Sequence, residues 1–312
     1  MIILAAAILL AGLAVVSYLG ARMIERAHPP SGRFVEVDGG RLHILELGPP
    51  DAPPVVLLHG ASGNLGDLRL ALGERLAARY RVIIVDRPGH GWSDRPNGAA
   101  DASPGQQAAL INQALARMGV TRPIVLGQSW SGALATAYAL AFPDETAGLV
   151  LVCPVTHPWP GGISWLNRLV ATPFIGPLVA HTMIVPAGYF LLPPGVTEVF
   201  APQIAPDGYI ESTAAWMILR PSEFIANAQD IAILKDFVTA QAPRYGEIKT
   251  PVAIIAGDAD ETVYTDIHSR AIAAQLPHAT LIVLSGVGHM VQYAATDLVV
   301  QAVDEVAAAG GY

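Results

Sequence analysis

Cysteine is almost absent from this 312-residue chain: Cys153 stands alone, which excludes an internal disulfide framework and any multi-cysteine metal site. It follows an apolar run and reads as a small buried residue. Charge is scarce as well, at 14% of residues. With 18 Lys and Arg against 26 Asp and Glu, the net charge is −8, so there is no basic footprint and nucleic acid is excluded as a partner. His90, His157, His181, His268 and His278 lack metal-ligand spacing and read as core or surface residues. Gly89-His90-Gly91 is not followed by the third glycine of a dinucleotide fingerprint. No cofactor and no metal are expected. What the chain has in quantity is apolar surface, 52% hydrophobic residues and a mean hydropathy of +0.43, which points to a bilayer or to apolar ligands.

No charged residue occurs from Ile2 to Ala21. About 20 apolar residues cover the ~30 Å hydrocarbon core of a bilayer, so residues 1–24 read as a single-pass N-terminal membrane anchor. A cleaved signal peptide is the rival, weakened by the lack of Lys or Arg before the run and of an Ala-x-Ala site. Arg22 and Arg26 follow the span, but against Glu25 this bias does not fix the side of the membrane on which the rest lies.

Beyond a Pro-containing connector, Phe34–Val37 and Leu42–Leu47 flank Asp38-Gly39-Gly40 and read as a hairpin. The short apolar runs Val55–Leu58, Val82–Val85, Ile124–Leu126, Leu149–Val152, Val252–Ala256 and Leu281–Leu284 suit strands buried on both faces. Helical patterns lie near residues 65–78, 106–118, 132–141, 266–275 and 296–308. The alternation implies a mostly parallel sheet with helices on both faces. It breaks between Pro154 and Thr250, a stretch rich in proline and aromatics and too long for a loop. The expected organisation is a core of residues 31–155 and 251–312 with an inserted cap of residues 156–250.

Ligands of an open α/β sheet bind beyond the carboxyl ends of its strands. Five motifs close strands here: His59-Gly60, Asp86-Arg87-Pro88-Gly89-His90-Gly91-Trp92-Ser93, Gly127-Gln128-Ser129-Trp130-Ser131, Gly257-Asp258-Ala259-Asp260 and Gly288-His289. In this order they resemble the α/β-hydrolase superfamily, specifically its capped members with a serine nucleophile on a strand–turn–helix elbow. The resemblance runs from about Phe34 to the C-terminus, the cap apart. It implies an α/β-hydrolase fold with a mostly parallel central sheet, a mainly helical cap and, here, the N-terminal membrane helix.

By that resemblance Ser129 is the nucleophile, Asp260 the acid and His289 the base, with backbone N–H groups of Ala61 and Trp130 forming the oxyanion hole. A serine hydroxyl needs an imidazole to take its proton, and the imidazole needs a carboxylate to hold its tautomer. Asp258 is the competing acid; the Gly-x-x-Asp spacing favours Asp260. His59 is expected to pack beneath the oxyanion hole, Asp86, Arg87 and Ser93 to brace their loop, and Trp130 to wall the acyl pocket. Ser131, where glycine is usual, reads as a tolerated small residue. Trp159, Trp165 and Trp216 of the cap are candidate pocket residues. The expected activity is hydrolysis of an apolar carboxylic ester. Carbon–carbon cleavage by the same triad and a non-catalytic binding protein on this scaffold are the alternatives. Dehalogenation and epoxide hydrolysis are disfavoured because both place an aspartate at position 129.

Overall fold

A computed structural model describes residues 1–312. Eight strands form one sheet: β1 (Arg33–Val37), β2 (Gly40–Leu47), β3 (Pro54–Leu58), β4 (Arg81–Val85), β5 (Ile124–Gln128), β6 (Gly148–Val152), β7 (Val252–Gly257) and β8 (Thr280–Leu284). Their order is β1-β2-β4-β3-β5-β6-β7-β8. The first hairpin and the β2–β4 pair are antiparallel and all other pairs are parallel.

The strand sequences dictate a sheet covered twice. Along β3 and β5, Val56, Leu58 and Val125 face one core, shared with the helices Pro104–Arg117 and Ser131–Ala141. Val55, Leu57, Ile124 and Leu126 face the other, shared with the segments from Leu65 to Ala77 and Thr296–Gly310. Successive side chains of a strand point to opposite faces, so an unbroken apolar run fills both cores. The segment from Leu65 to Ala77 is not one regular helix. It passes through a π turn at Arg69–Gly73, where Gly73 lies close against Leu47 and Ile84.

From β3 the chain crosses to β4 on one side and then returns to β5 on the other. The carboxyl ends of β3 and β5 therefore flank a topological switch, where a crevice opens. Between β6 and β7 the chain leaves the sheet, and every regular element from Trp165 to Glu247 is helical. The longest, Pro221–Gln241, lies over the core. The N-terminal helix Ile2–Ala27 packs on this same insertion through its last third, while most of its first 16 residues stand exposed.

Candidate active site

The strand–turn–helix at Ser129 is built by small residues. A Cβ on Gly127 would lie 2.2 Å from the Ser131 carbonyl oxygen, and one on Gly132 would lie 2.3 Å from Pro154 Cβ. Only glycine lets the strand and helix approach this closely. Ser129 itself sits at φ 55°, a left-handed conformation that strains an L-residue. The turn is pinned from both sides. Ser129 N–H donates to the Val152 carbonyl at 2.9 Å, and Val155 N–H donates to the Ser129 carbonyl at 2.9 Å.

His289 Nδ1 lies 2.7 Å from Asp260 Oδ2, both groups buried. A carboxylate accepts only, so Nδ1 carries the proton and Nε2 presents its lone pair. Asp260 Oδ1 accepts the N–H groups of Thr262 and Val263, each at 2.8 Å, which fixes the carboxylate plane. Asp258 is engaged elsewhere, accepting the Gly286 N–H at 2.7 Å. The competition between the two acids is thus resolved by geometry in favour of Asp260 as the partner of His289.

Ser129 Oγ makes no hydrogen bond to His289 in this conformation. The Nε2 lone pair is met by the Gln128 amide at 3.4 Å, a weak contact of the kind that rearranges when a substrate binds. Gln128 went unnoticed in the sequence because it carries no charge and occupies a variable position of the elbow. Close by, a Cβ on Gly60 would meet Gln128 Oε1 at 2.3 Å and Ser129 Cβ at 3.0 Å. The loop after β3 therefore passes directly over the elbow. Neither the Ala61 nor the Trp130 N–H donates to any protein acceptor. Both remain available to an oxyanion.

Ser131 differs from expectation. Its hydroxyl donates to the His59 carbonyl, tying the start of the elbow helix to the end of β3. The hydroxyl thus does what glycine could not. We expect Ser131→Gly to lower stability by about 1 kcal/mol, read by urea unfolding, since one buried hydrogen bond is lost. An unchanged unfolding midpoint would show the bond to be dispensable.

His59 is structural, as expected: Nδ1 bonds the Gly60 carbonyl at 2.9 Å and Nε2 accepts the Arg87 N–H at 3.1 Å. Burial, with Arg87 beside it, pushes its pKa down to about 3. Burial likewise lowers His268 to about 4 and His90 well below the ordinary value. These imidazoles stay neutral in the fold but take up protons on unfolding near the ordinary histidine pKa of 6.5. Their stabilisation is full above that pH and is lost as pH falls through the window from 6.5 towards 4. Each contributes a slope of up to about 1.4 kcal/mol per pH unit. Urea unfolding at pH 7 and pH 5 should show a marked loss at the lower pH; equal midpoints would contradict it.

Trp130 does not wall a pocket. Its indole is buried, donates its N–H to the Asp230 carbonyl at 3.2 Å, and lies with its ring centroid 4.0 Å from the Arg87 guanidinium. Nor do the three cap tryptophans gather around Ser129. Trp159 packs against the main core beside His268, Trp216 stacks on Tyr189 at 5.1 Å, and Trp165 is 72% exposed. Each lands in a different environment because the path of the chain through the cap, not the aromatic content, decides which way they face.

Sequence reasoning also missed Gln203. From the cap it accepts the Gly288 N–H and donates to the Gly286 carbonyl, both at 2.8 Å, and so braces the loop that carries His289. That loop is held closely on its other side: a Cβ on Gly257 would fall 2.0 Å from the Val287 carbonyl oxygen.

Cys153 Sγ, Asp260 and His289 also have the proximity of a metal-ligand set, within 4.8 Å of one another. The donor chemistry does not suit an ion. Burial raises the Cys153 thiol well above its ordinary pKa, and both Asp260 oxygens are already accepting hydrogen bonds.

A buried serine on a strained elbow, two free N–H groups beside it and a His–Asp pair at the carboxyl edge of this sheet match one known architecture. Residues 53–174 match the model of the alpha/beta hydrolase fold family. An alpha/beta hydrolase fold protein from Burkholderia ambifaria superposes with a TM-score of 0.71 at 26% identity, over 88% of this chain and 97% of that one. The chain has the α/β-hydrolase fold. Among curated relatives, this hydrolase is 26% identical to a 2-hydroxy-6-oxo-6-phenylhexa-2,4-dienoate hydrolase of Burkholderia cepacia, over 88% of this chain and 96% of that protein. It is 29% identical to a 2-hydroxy-6-oxononadienedioate/2-hydroxy-6-oxononatrienedioate hydrolase of Cupriavidus pinatubonensis, over 84% and 90% respectively. A crystal structure of a membrane phospholipase A shares the fold with a TM-score of 0.69 at 21% identity, over 99% of this chain and 96% of that one.

Proposed function

We propose that this hydrolase cleaves an apolar carboxylic ester through an acyl-enzyme on Ser129. The observation that carries the reading is the Asp260–His289 contact of 2.7 Å beside an elbow serine flanked by two unpaired backbone N–H groups. In the first step the Ser129 proton passes to His289 Nε2 while Oγ attacks the ester carbonyl. The developing oxyanion takes the Ala61 and Trp130 N–H bonds, each such donor being worth roughly 2.7–4 kcal/mol of barrier. Collapse expels the alcohol, which takes its proton from His289. Water, deprotonated by His289, then releases the acid.

A second reading, hydrolysis of a carbon–carbon bond by the same triad, is favoured by the dienoate hydrolases among the relatives. A dienoate brings a carboxylate, which an arginine would bind best. Here Arg87 and Arg95 are both committed to Asp230, and Arg220 to Glu223. That commitment supports the ester reading. The test is a fluorophosphonate probe on the full chain, followed by p-nitrophenyl esters of increasing acyl length and a dienoate substrate. Labelling at Ser129 with ester turnover supports the proposal. Turnover of the dienoate alone selects the second reading, and absence of labelling leaves a binding protein.

We read the N-terminal helix as a membrane anchor rather than a cleaved signal. Alkaline carbonate extraction of a membrane fraction should leave the hydrolase in the pellet, with residues 1–27 present by mass spectrometry. A soluble product lacking them would identify a signal peptide.

A further inference from the structure

We propose that the outer face of the cap between Trp165 and Leu191 is a lipid-docking surface, seated in the same bilayer as the N-terminal helix. The inference rests on reading that helix as a membrane anchor. Twenty residues counted back from Arg22, the first charge, run from Ile2 to Ala21 and span about 30 Å at 1.5 Å each. The cap is already in contact before that span ends. Ser17 is fully buried, and a Cβ on Gly20 would lie 2.5 Å from Val185 Cγ1. Ile24 joins the cap's own apolar cluster, so this is a packed helix–helix contact rather than a chance touch.

Ser17 stands five residues before Arg22, or about 7 Å along the helix axis. Gly20, which meets Val185, stands two residues before Arg22, about 3 Å along the axis, so the segment around Val185 is carried just inside the polar boundary, next to the ~5–10 Å depth at which interfacial helices rest. The neighbouring sequence fits that position. From Leu169 to Thr197 there is no Asp, Glu, Lys or Arg. Along it Phe174 is 91% exposed and Phe190 80% exposed, and Leu178 and Leu191 are exposed too. Large apolar groups gathered on one uncharged stretch mark an interaction surface, and its contact with the anchor identifies lipid as the occupant. The cap that covers Ser129 would then be held at the interface from which an apolar ester arrives.

The experiment uses the full chain in phosphatidylcholine vesicles, with single nitroxide labels on Leu9→Cys, Phe174→Cys, Phe190→Cys and Asp51→Cys. Cys153 is fully buried and escapes labelling. Collisions with oxygen and with a water-soluble nickel chelate report depth. Labels at 9, 174 and 190 should favour oxygen, and the label at exposed Asp51 should favour nickel. Nickel preference at 174 and 190 with oxygen preference at 9 would overturn the docking face and leave the anchor standing. Nickel preference at 9 would remove the anchor and the proposal with it. Spin–spin broadening between copies at 174 or 190 would show a second copy on this face and also overturn it.

Discussion

Replacing Ser129 with glycine is expected to abolish ester hydrolysis and, at the same time, to raise the stability of the fold. Ser129 is held at φ 55°, where an L-residue costs roughly 1–2 kcal/mol and glycine nothing. The greater freedom of glycine in the unfolded chain offsets about 0.5–1 kcal/mol of that gain. The hydroxyl, by contrast, is the group proposed to attack a carbonyl beside the Ala61 and Trp130 N–H groups. Its loss should lower kcat by at least about 10³-fold, leaving the residual effect of the oxyanion hole. Ser129→Ala separates the two effects, since alanine keeps the strain and loses the hydroxyl. Ester assays with urea unfolding on the wild type and both variants check this. Turnover by Ser129→Ala within tenfold of the wild type would remove Ser129 as the nucleophile. A glycine variant less stable than the alanine variant would remove the strain argument.

The sheet was legible because its strands are buried on both faces, so β3, β5, β6 and β7 stand out as unbroken apolar runs. Legible too were the elbow and the His289 and Asp260 motifs, since each needs small residues at fixed offsets for backbone contact. The residues that hold these parts in place were not. Gln203 reaches the His289 loop across 85 positions of chain, and only the fold brings the two together. The hydroxyl of Ser131 looked like mere smallness because its acceptor, the His59 carbonyl, is backbone and leaves no mark in sequence. The tryptophans misled for the opposite reason. Aromatic content announces burial, but burial against what depends on helix rotation within the cap. Asp230 sat unremarked within a cap helix, although its carboxylate is the main ionic tie between cap and core.

That carboxylate carries the largest expected effect on stability. Asp230 is fully buried, its Oδ2 accepting from Arg87 Nη1 at 2.7 Å and Gln107 Nε2 at 3.0 Å, its Oδ1 from Arg95 Nη2 at 2.9 Å. Arg87, also fully buried, turns its other donors to the carbonyls of His59, at 3.1 Å, and Gly60, at 3.2 Å, to Gln107 Oε1 at 3.0 Å and to His90 Nε2 at 3.2 Å. A single acid of the cap thus holds the guanidinium that holds the loop after β3, the loop proposed to supply the Ala61 N–H to an oxyanion. Asp230→Ala leaves Arg87 charged, buried and without its counter-ion, a loss of about 3–5 kcal/mol. Replacing both partners by apolar residues, as Arg87→Met with Asp230→Leu, removes the stranded Arg87 charge but leaves Arg95 without its partner, so only part of that stability should return. Activity should not recover with it, because methionine offers no donor to the His59 and Gly60 carbonyls and the Ala61 N–H loses its fixed direction. The expected signature is therefore a double variant with a urea midpoint above that of Asp230→Ala, though below the wild type, and a depressed kcat. If the double variant is as unstable as Asp230→Ala, the pair acts through packing rather than charge. If it is fully active, Arg87 has no part in holding the oxyanion loop.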